Sequence, residues 1–239
     1  MMFATGHLRN RNKNIMNRRQ INKALALAPL SCLVGLPSLA TASGKASTAE
    51  PTRQDPSRPF RRVDVGEDGR RVLFFFDFAC PFCAEYHSSL MNFQSSVPKQ
   101  IQTLLIPVVN PAEKARKNDL IAAAKCFYAV QDIASREQVR TFVSNVYSMY
   151  PETRSLMNQN MWIRAMKAAG IDVNRFANAM QSPANNQQVM FAARKTAAYD
   201  LRATPSVAVG GKYVMTPDDV MGDKEMFFNI LNGLTSEIL

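Results

Sequence analysis

Histidine and cysteine are scarce in this chain, with two His and four Cys among 239 residues. Cys32 lies in the N-terminal 42 residues, so beyond it Cys126 and His87 are the only further soft ligands beside the Cys80/Cys83 pair. A zinc site of the finger type needs a second pair, which argues against a metal-held fold. Acidic residues are absent from residues 1–42, which carry Arg9, Arg11, Lys13, Arg18, Arg19 and Lys23. The formal charge of +10 is therefore misleading, because the remainder sets 23 Lys/Arg against 19 Asp/Glu. No Lys/Arg cluster is interleaved with aromatics, so a nucleic-acid surface is not expected. Long hydrophobic runs are also missing. The stretch from Ala24 to about Leu36 is broken by Pro29, Ser31 and Gly35 and is too short to span a bilayer. Hydrophobic residues nevertheless make up 46% of the chain, enough for a sizeable core.

What the N-terminus does contain is the three-part pattern of an export signal. A basic region runs through Lys23, the short apolar stretch follows, and Ala40-Thr41-Ala42 precedes Ser43 as a small-residue cleavage site. Residues 1–42 are therefore read as a signal peptide cleaved after Ala42, with an uncleaved anchor as the alternative. Cys32 leaves with it. Asn17-Arg18-Arg19-Gln20 partly resembles a twin-arginine signal, so the general and twin-arginine routes both stay open, as do Met1 and Met16 as starts. Residues 43–59, rich in Ser, Thr, Ala and Pro, cannot bury apolar surface and are expected to be a flexible lead-in.

The stretch from Val72 to Val97 organises the rest. Val72 to Phe78 is short, apolar and aromatic with almost no alternation, the pattern of a strand covered on both faces. Pro81 suits the first position of a helix, where its missing N–H has no partner to lose. Cys80 then becomes the N-cap, with its sulfur facing the unpaired N–H groups and the positive end of the helix dipole. Those neighbours favour the thiolate, which makes Cys80 the nucleophile. Cys83, one turn on and less accessible, is placed to attack a mixed disulfide formed at Cys80. The same C-x-x-C spacing fits half a zinc site or a plain structural disulfide, and those alternatives stand beside the redox reading.

Phe60 to Val65 could form a first strand, turned by Gly66-Glu67-Asp68-Gly69 toward the central one. After the helix from Pro81, Ile101 to Val109 gives strand, helix, strand at the spacing of a parallel crossover. From residue 111 to 199 the pattern turns helical, over Lys117 to Ile133, Arg136 to Tyr147, Met161 to Ala169, Asp172 to Met180 and Pro183 to Leu201. The methionines there (Met149, Met157, Met161, Met166, Met180, Met190) suit core packing better than a binding surface. Strand signals return in Ala203 to Val209 and Lys212 to Val214 around the turn Gly210-Gly211. A final helix from Lys224 carries Met226, Phe227, Ile230, Leu231, Leu234 and Ile238 on one face, to cover the sheet. The fold class is α/β, with 60–110 and 200–239 as one domain and 111–199 as an inserted helical subdomain.

Phe-Phe-Asp-Phe-Ala-Cys-Pro-Phe-Cys after a strand, the helical insertion, and Thr204-Pro205 leading into Val-Ala-Val-Gly-Gly-Lys-Tyr together resemble the DsbA-like thiol:disulfide oxidoreductases. That family has a thioredoxin fold with a helical insertion, and the likeness runs from Phe60 to Leu239. The resemblance implies that Pro205 is a cis-proline packed against the cysteine pair, with Thr204 before it, in a loop where substrate backbone pairs by strand addition. The chain also departs from the pattern. Phe82 stands where DsbA has His between the cysteines, which implies weaker stabilisation of the Cys80 thiolate and a less oxidising couple. Phe74 replaces a buried Glu that transfers protons in DsbA. Thr204, in place of Val, resembles the isomerase and reductase branches, but the short Ser43 to Arg58 lead-in stands where dimeric isomerases carry a dimerisation domain, so a dedicated dimeric isomerase is not expected.

Three further residues invite roles. His87 follows Cys83 by one turn and could perturb it, although an exposed helical His is the better expectation. Asp77 could accept protons or simply end the strand in a polar residue. Cys126 reads as a buried apolar cysteine. The expected function is exchange of disulfides with other exported, cysteine-containing proteins in a periplasm through Cys80 and Cys83, with Thr204 and Pro205 completing the site and Pro81, Phe82, His87 and Asp77 as possible modulators. A membrane or soluble redox partner protein is expected, with no permanent membrane insertion and no organic cofactor or metal. The alternatives are a reductase or isomerase kept reduced and, from a different class, a copper- or zinc-binding chaperone using the dithiolate.

Overall fold

The computed structural model of the protein describes residues 58–150, 152–154 and 158–239. The expected signal peptide, most of the lead-in, Cys32 and Met157 lie outside the described residues. The sheet is built around β2 (Arg71–Phe76), whose residues from Val72 onward are all buried. It lies between β3 (Gln102–Pro107), to which it runs parallel, and β4 (Ser206–Val209), to which it runs antiparallel. β4 then pairs with β5 (Tyr213–Met215), and β5 with the edge strand β1 (Arg61–Arg62), giving the order β1-β5-β4-β2-β3. Phe74 faces Leu105 on one side and Val207 on the other. Burial on both faces accounts for the unbroken apolar run of β2.

The β4–β5 hairpin closes through Gly210 and Gly211, both at positive φ (62° and 65°), the geometry that a tight hairpin twist requires. The first strand is shorter than the expected Phe60 to Val65. Beyond Arg62 the chain meets that turn, and the Val63 and Val65 N–H groups donate to Lys212 and Gly211 carbonyls in place of a regular ladder.

Between β2 and β3 runs α1 (Pro81–Ser96), the crossover helix. The insertion comprises α2 (Lys117–Ile133), α3 (Arg136–Ser148), α4 (Gln159–Ala168), α5 (Val173–Gln181) and α6 (Pro183–Ala198), and α7 (Lys224–Ser236) ends the fold. Side-chain caps start most of them, from Ser135, Asn158, Asp172, Ser182 and Asp223. Alternate residues of β2 feed two cores, as the period of a strand dictates. Val72 and Phe74 pack with Tyr86, Leu90 and Phe93 of α1 and with Phe227, Leu231 and Leu234 of α7. Leu73 and Phe75 pack on the other face with Phe127, Phe142, Met161 and Met166, so sheet and inserted helices share one core. Met226, expected on the covering face of α7, is exposed; the buried stripe follows Phe227, Leu231, Leu234 and Ile238, and Met226 lies on its flank. Among the insertion's methionines, Met161 and Met166 are core and Met190 is exposed.

One polar cluster joins the insertion to the start of β2. Asp68, fully buried, accepts from Lys195 Nζ (2.6 Å) and the Tyr199 hydroxyl (2.7 Å) through Oδ2, and from Arg71 Nη1 (2.9 Å) through Oδ1. Burial alone would raise its pKa, but the donors from Lys195, Tyr199 and Arg71 outweigh it and hold the carboxyl below its ordinary value. Lys195 is also buried and reaches Glu67, which is largely exposed. Removing one partner of such a group strands the other's charge. Asp68→Ala is expected to lower the free energy of unfolding by about 3 kcal/mol in urea titration. Glu67→Ala, at the solvent-exposed end of the same cluster, should cost less than about 1 kcal/mol.

Candidate active site

The site forms where β2 gives way to α1. Phe78 anchors the junction, being buried among Phe76, Phe142, Tyr147 and Trp162. Asp77 shapes the turn: its Oδ1 accepts from the Ala79 N–H (2.9 Å) and its carbonyl from the Cys80 N–H (3.1 Å). Cys80 is the extended N-cap residue of α1 (φ −87°, ψ 121°), as a residue before proline is pushed to be, and Pro81 is the first helical residue. Pro81 and Phe82 are exposed, Cys80 is half-buried, and Cys83 is only 2% exposed. Cys80, Cys83 and Cys126 are free thiols, so the pair is in its reduced form.

Far along the chain, Thr204-Pro205 enters β4 through a cis peptide bond. Cys80 Sγ lies 3.2 Å from the Thr204 carbonyl, to which it donates when protonated, and this contact brings the loop against the cysteine pair. Cys83 Sγ accepts from the Asp77 N–H at 3.5 Å.

These neighbours divide the two thiols. The Cys83 thiol donates toward Cys80, which is the largest influence lowering the Cys80 pKa from 9.0 to about 6. Partial burial opposes the shift, and the Thr204 side chain and the N–H groups of Cys83 and Phe82 reinforce it, although none closes a capping hydrogen bond on the sulfur. Burial, and then its bond to Cys80, pushes the Cys83 thiol well above the ordinary value. The pair thus holds one proton between an accessible thiolate and a buried thiol. Such an arrangement can attack a disulfide at Cys80 and complete the exchange from Cys83.

Asp77 is buried, with its Oδ2 paired to Arg116 at 2.9 Å. Its main chain, more than its carboxylate, faces the site. Cys126 is buried in the core beside Phe127, and burial pushes its thiol up. His87 corrects the expectation of an exposed residue: it is only 7% exposed. It shares the α1 face of Cys83, and α3 covers that face, with Ser144 Oγ 2.8 Å from His87 Nε2 and the Tyr147 ring 5.0 Å away. Burial lowers the His87 pKa from 6.5 to about 4, with the positive charge of Arg140 adding to the effect.

Three neighbours escape a sequence reading: Arg116, Ser144 and Tyr147. Tyr147 donates to the Asp77 carbonyl at 3.4 Å, and burial, followed by the charges of Cys83 and Asp77, keeps its hydroxyl protonated. The apolar spacing of α3 marks Tyr147 as core, but nothing in that spacing says which residues it meets.

The model of the thioredoxin family matches residues 69–225. Among curated proteins, the chain is 26% identical over 178 residues to the thiol:disulfide interchange protein DsbA of Burkholderia cepacia, covering 74% of this chain and 77% of that protein. It is 23% identical over 146 residues to the DsbA of Bordetella pertussis, covering 61% and 66% respectively. The fold is similar to that of Pseudomonas aeruginosa DsbA, with a TM-score of 0.62 and 16% identity over 75% of this chain and 92% of that one. It is likewise similar to reduced DsbA1 of Neisseria meningitidis, with a TM-score of 0.61 and 21% identity over 76% and 93%. With its cysteine pair at the head of a crossover helix, its cis Thr204-Pro205 and its inserted helices, the chain belongs to the thioredoxin family, as a DsbA-like thiol:disulfide oxidoreductase.

Proposed function

We propose that this oxidoreductase is exported and forms or exchanges disulfides in other exported proteins through the Cys-Pro-Phe-Cys pair. The observation that carries the reading is the asymmetry of the pair: Cys80 accessible with a depressed pKa, Cys83 buried and held as a thiol. In the oxidised enzyme, a substrate thiolate attacks Cys80 Sγ and Cys83 leaves; a second substrate thiolate then displaces Cys80 as the substrate disulfide closes. Stabilising the Cys80 thiolate stabilises the reduced enzyme, which makes the couple a better disulfide donor. Thr204 and Pro205 form the loop against the pair, ahead of β4, and an extended substrate backbone would pair with that loop, because β4 itself is already paired on both edges.

Export is supported by the basic, apolar and small-residue order of residues 1–42. Among the described residues no helix is long and apolar enough to cross a membrane. A redox partner, soluble or membrane-bound, would reoxidise the pair. The reductase or isomerase reading draws on Thr204 before the proline and corresponds to a pair kept reduced in the cell. Thiol alkylation of intact cells separates the two: a mostly oxidised Cys80/Cys83 pair is expected, and a mostly reduced pair would overturn the oxidase direction. The metal-chaperone reading would have to rest on the Cys80/Cys83 dithiolate alone, since no group of three His, Cys, Asp or Glu suited to a metal ion occurs among the described residues.

Cys83→Ser should accumulate mixed disulfides between Cys80 and substrates, visible on non-reducing gels, while Cys80→Ser forms none and is inactive. Cys126→Ala should keep its exchange activity.

The Thr204 hydroxyl favours the thiolate, so Thr204→Val is expected to raise the Cys80 pKa by about 1, read by thiolate absorbance against pH. Its couple should become less oxidising by roughly 20 mV in equilibration with glutathione. Because the Cys80 pKa is depressed in the folded protein, its stabilisation of the reduced fold is complete above the ordinary thiol value and lost as pH falls through about 6. Melting curves of reduced and oxidised protein should show the reduced form losing that contribution over this range.

A further inference from the structure

Exchange makes a demand on Cys83 that its surroundings do not obviously meet. The thiol is almost fully buried, yet it must lose a proton whenever it attacks and regain one whenever it leaves. Under the pair lies a cavity of about 20 Å³ whose walls include Cys83, Pro205, Phe74, Tyr147 and His87. That is room for about one water, in a mostly apolar space that Cys83, Tyr147 and His87 all border. On its far side His87 also lines an outer cleft of about 320 Å³, together with Ser144, Arg140 and Glu137. His87 is thus common to the two spaces, and its Nε2 is held by Ser144 Oγ in the outer one.

The titratable and charged groups that face the ring are few. Arg140, Glu137 and Tyr147 come from α3, and Cys83 comes from α1 itself. The sheet contributes the apolar Phe74, Phe75, Phe76 and Leu105. No carboxylate lines the inner cavity.

We infer that His87 is the positioning residue that relays the Cys83 proton between the buried cavity and the outer cleft. The inference rests on the exchange reading of Cys80 and Cys83 given above. A neutral imidazole accepts a proton at one nitrogen and releases one from the other, so it can pass a proton without keeping a charge. Burial holds the ring neutral at physiological pH, as that role requires.

The sequence begins when the reduced enzyme meets a disulfide R–S–S–R. The Cys80 thiolate attacks one sulfur, forms Cys80–S–S–R and releases RS⁻. The Cys83 proton passes through the cavity to His87, and a proton leaves past Ser144 to solvent. The Cys83 thiolate then attacks Cys80 Sγ, the Cys80–Cys83 bond forms, and the second RS⁻ leaves to take a proton from water. Two electrons have moved from the dithiol to R–S–S–R. Substrate oxidation runs the same route backwards, and Cys83 leaves as a thiolate and is reprotonated through His87.

Reduced protein mixed with glutathione disulfide, acid-quenched at intervals and weighed by mass spectrometry, separates the two steps. His87→Gln keeps a hydrogen-bonding partner for Ser144 but cannot relay a proton. Its mixed disulfide at Cys80 should form at the wild-type rate and resolve on the order of a hundredfold more slowly at neutral pH. Resolution in this variant should quicken about tenfold per pH unit, as hydroxide takes over the deprotonation, whereas the wild-type profile is flatter. Ser144→Ala, which leaves the imidazole in place, should slow resolution alone to a smaller degree. Wild-type resolution and pH profile in both variants would overturn the relay, as would equal slowing of both steps. If the wild-type protein forms no mixed disulfide at Cys80, the exchange reading falls first and the relay falls with it.

Discussion

One proton shared between two sulfurs sets the terms for the rest of this structure. Cys80 and Cys83 lie a turn apart at the head of α1, and the thiol of one stabilises the thiolate of the other. Two thiolates at that spacing would repel, so whichever sulfur is more exposed ionises and the other keeps the proton. The fold assigns those roles through burial: Cys80 reaches solvent and Cys83 does not. The Thr204 side chain and the first-turn N–H groups reinforce an assignment that burial has already made.

The framework around the pair keeps that difference in exposure in place. β2 is covered on both faces and paired on both edges, so the turn at Asp77 starts from a rigid point. Phe78 fills the core of the insertion directly behind the sulfurs, and the Asp77–Arg116 pair ties the same turn to the start of α2. At the other end of β2, the Asp68 cluster joins the strand to α6. The inserted helices are therefore part of the site's support. α3 in particular covers the side of α1 that carries Cys83 and His87, and so converts a surface histidine into a buried neutral one on the same helix face as Cys83.

Much of this was legible along the chain, because the signals are local. The aromatic run of β2, the proline at the first turn of α1 and the double-glycine hairpin each act through near neighbours, and each appears in the structure within a few residues of its expected place. The N-cap position of Cys80 follows from Pro81 alone. The periodicity of α2 to α6 located the helices as well, since an amphipathic stripe is written into a single segment. Likeness to a family, and not periodicity, pointed to Thr204-Pro205 as the partner of the cysteines, because their approach spans more than a hundred residues of chain.

The strand, the proline-led helix that follows it and the cysteine at that helix's N-cap are all written in local sequence, since steric preferences, capping and hydrophobic period act within one turn or one strand. The surroundings of Cys83, by contrast, come from segments far apart in the chain. Whether a helical face is solvent or core depends on which other helix lands on it, and the helix that lands on His87 begins some fifty residues downstream, at Arg136. The burial of His87, the charge network on Asp68 and the arrival of Tyr147 beside Cys83 arise from contacts between distant segments. Burial and its electrostatic consequences belong to such contacts, and no local pattern encodes them.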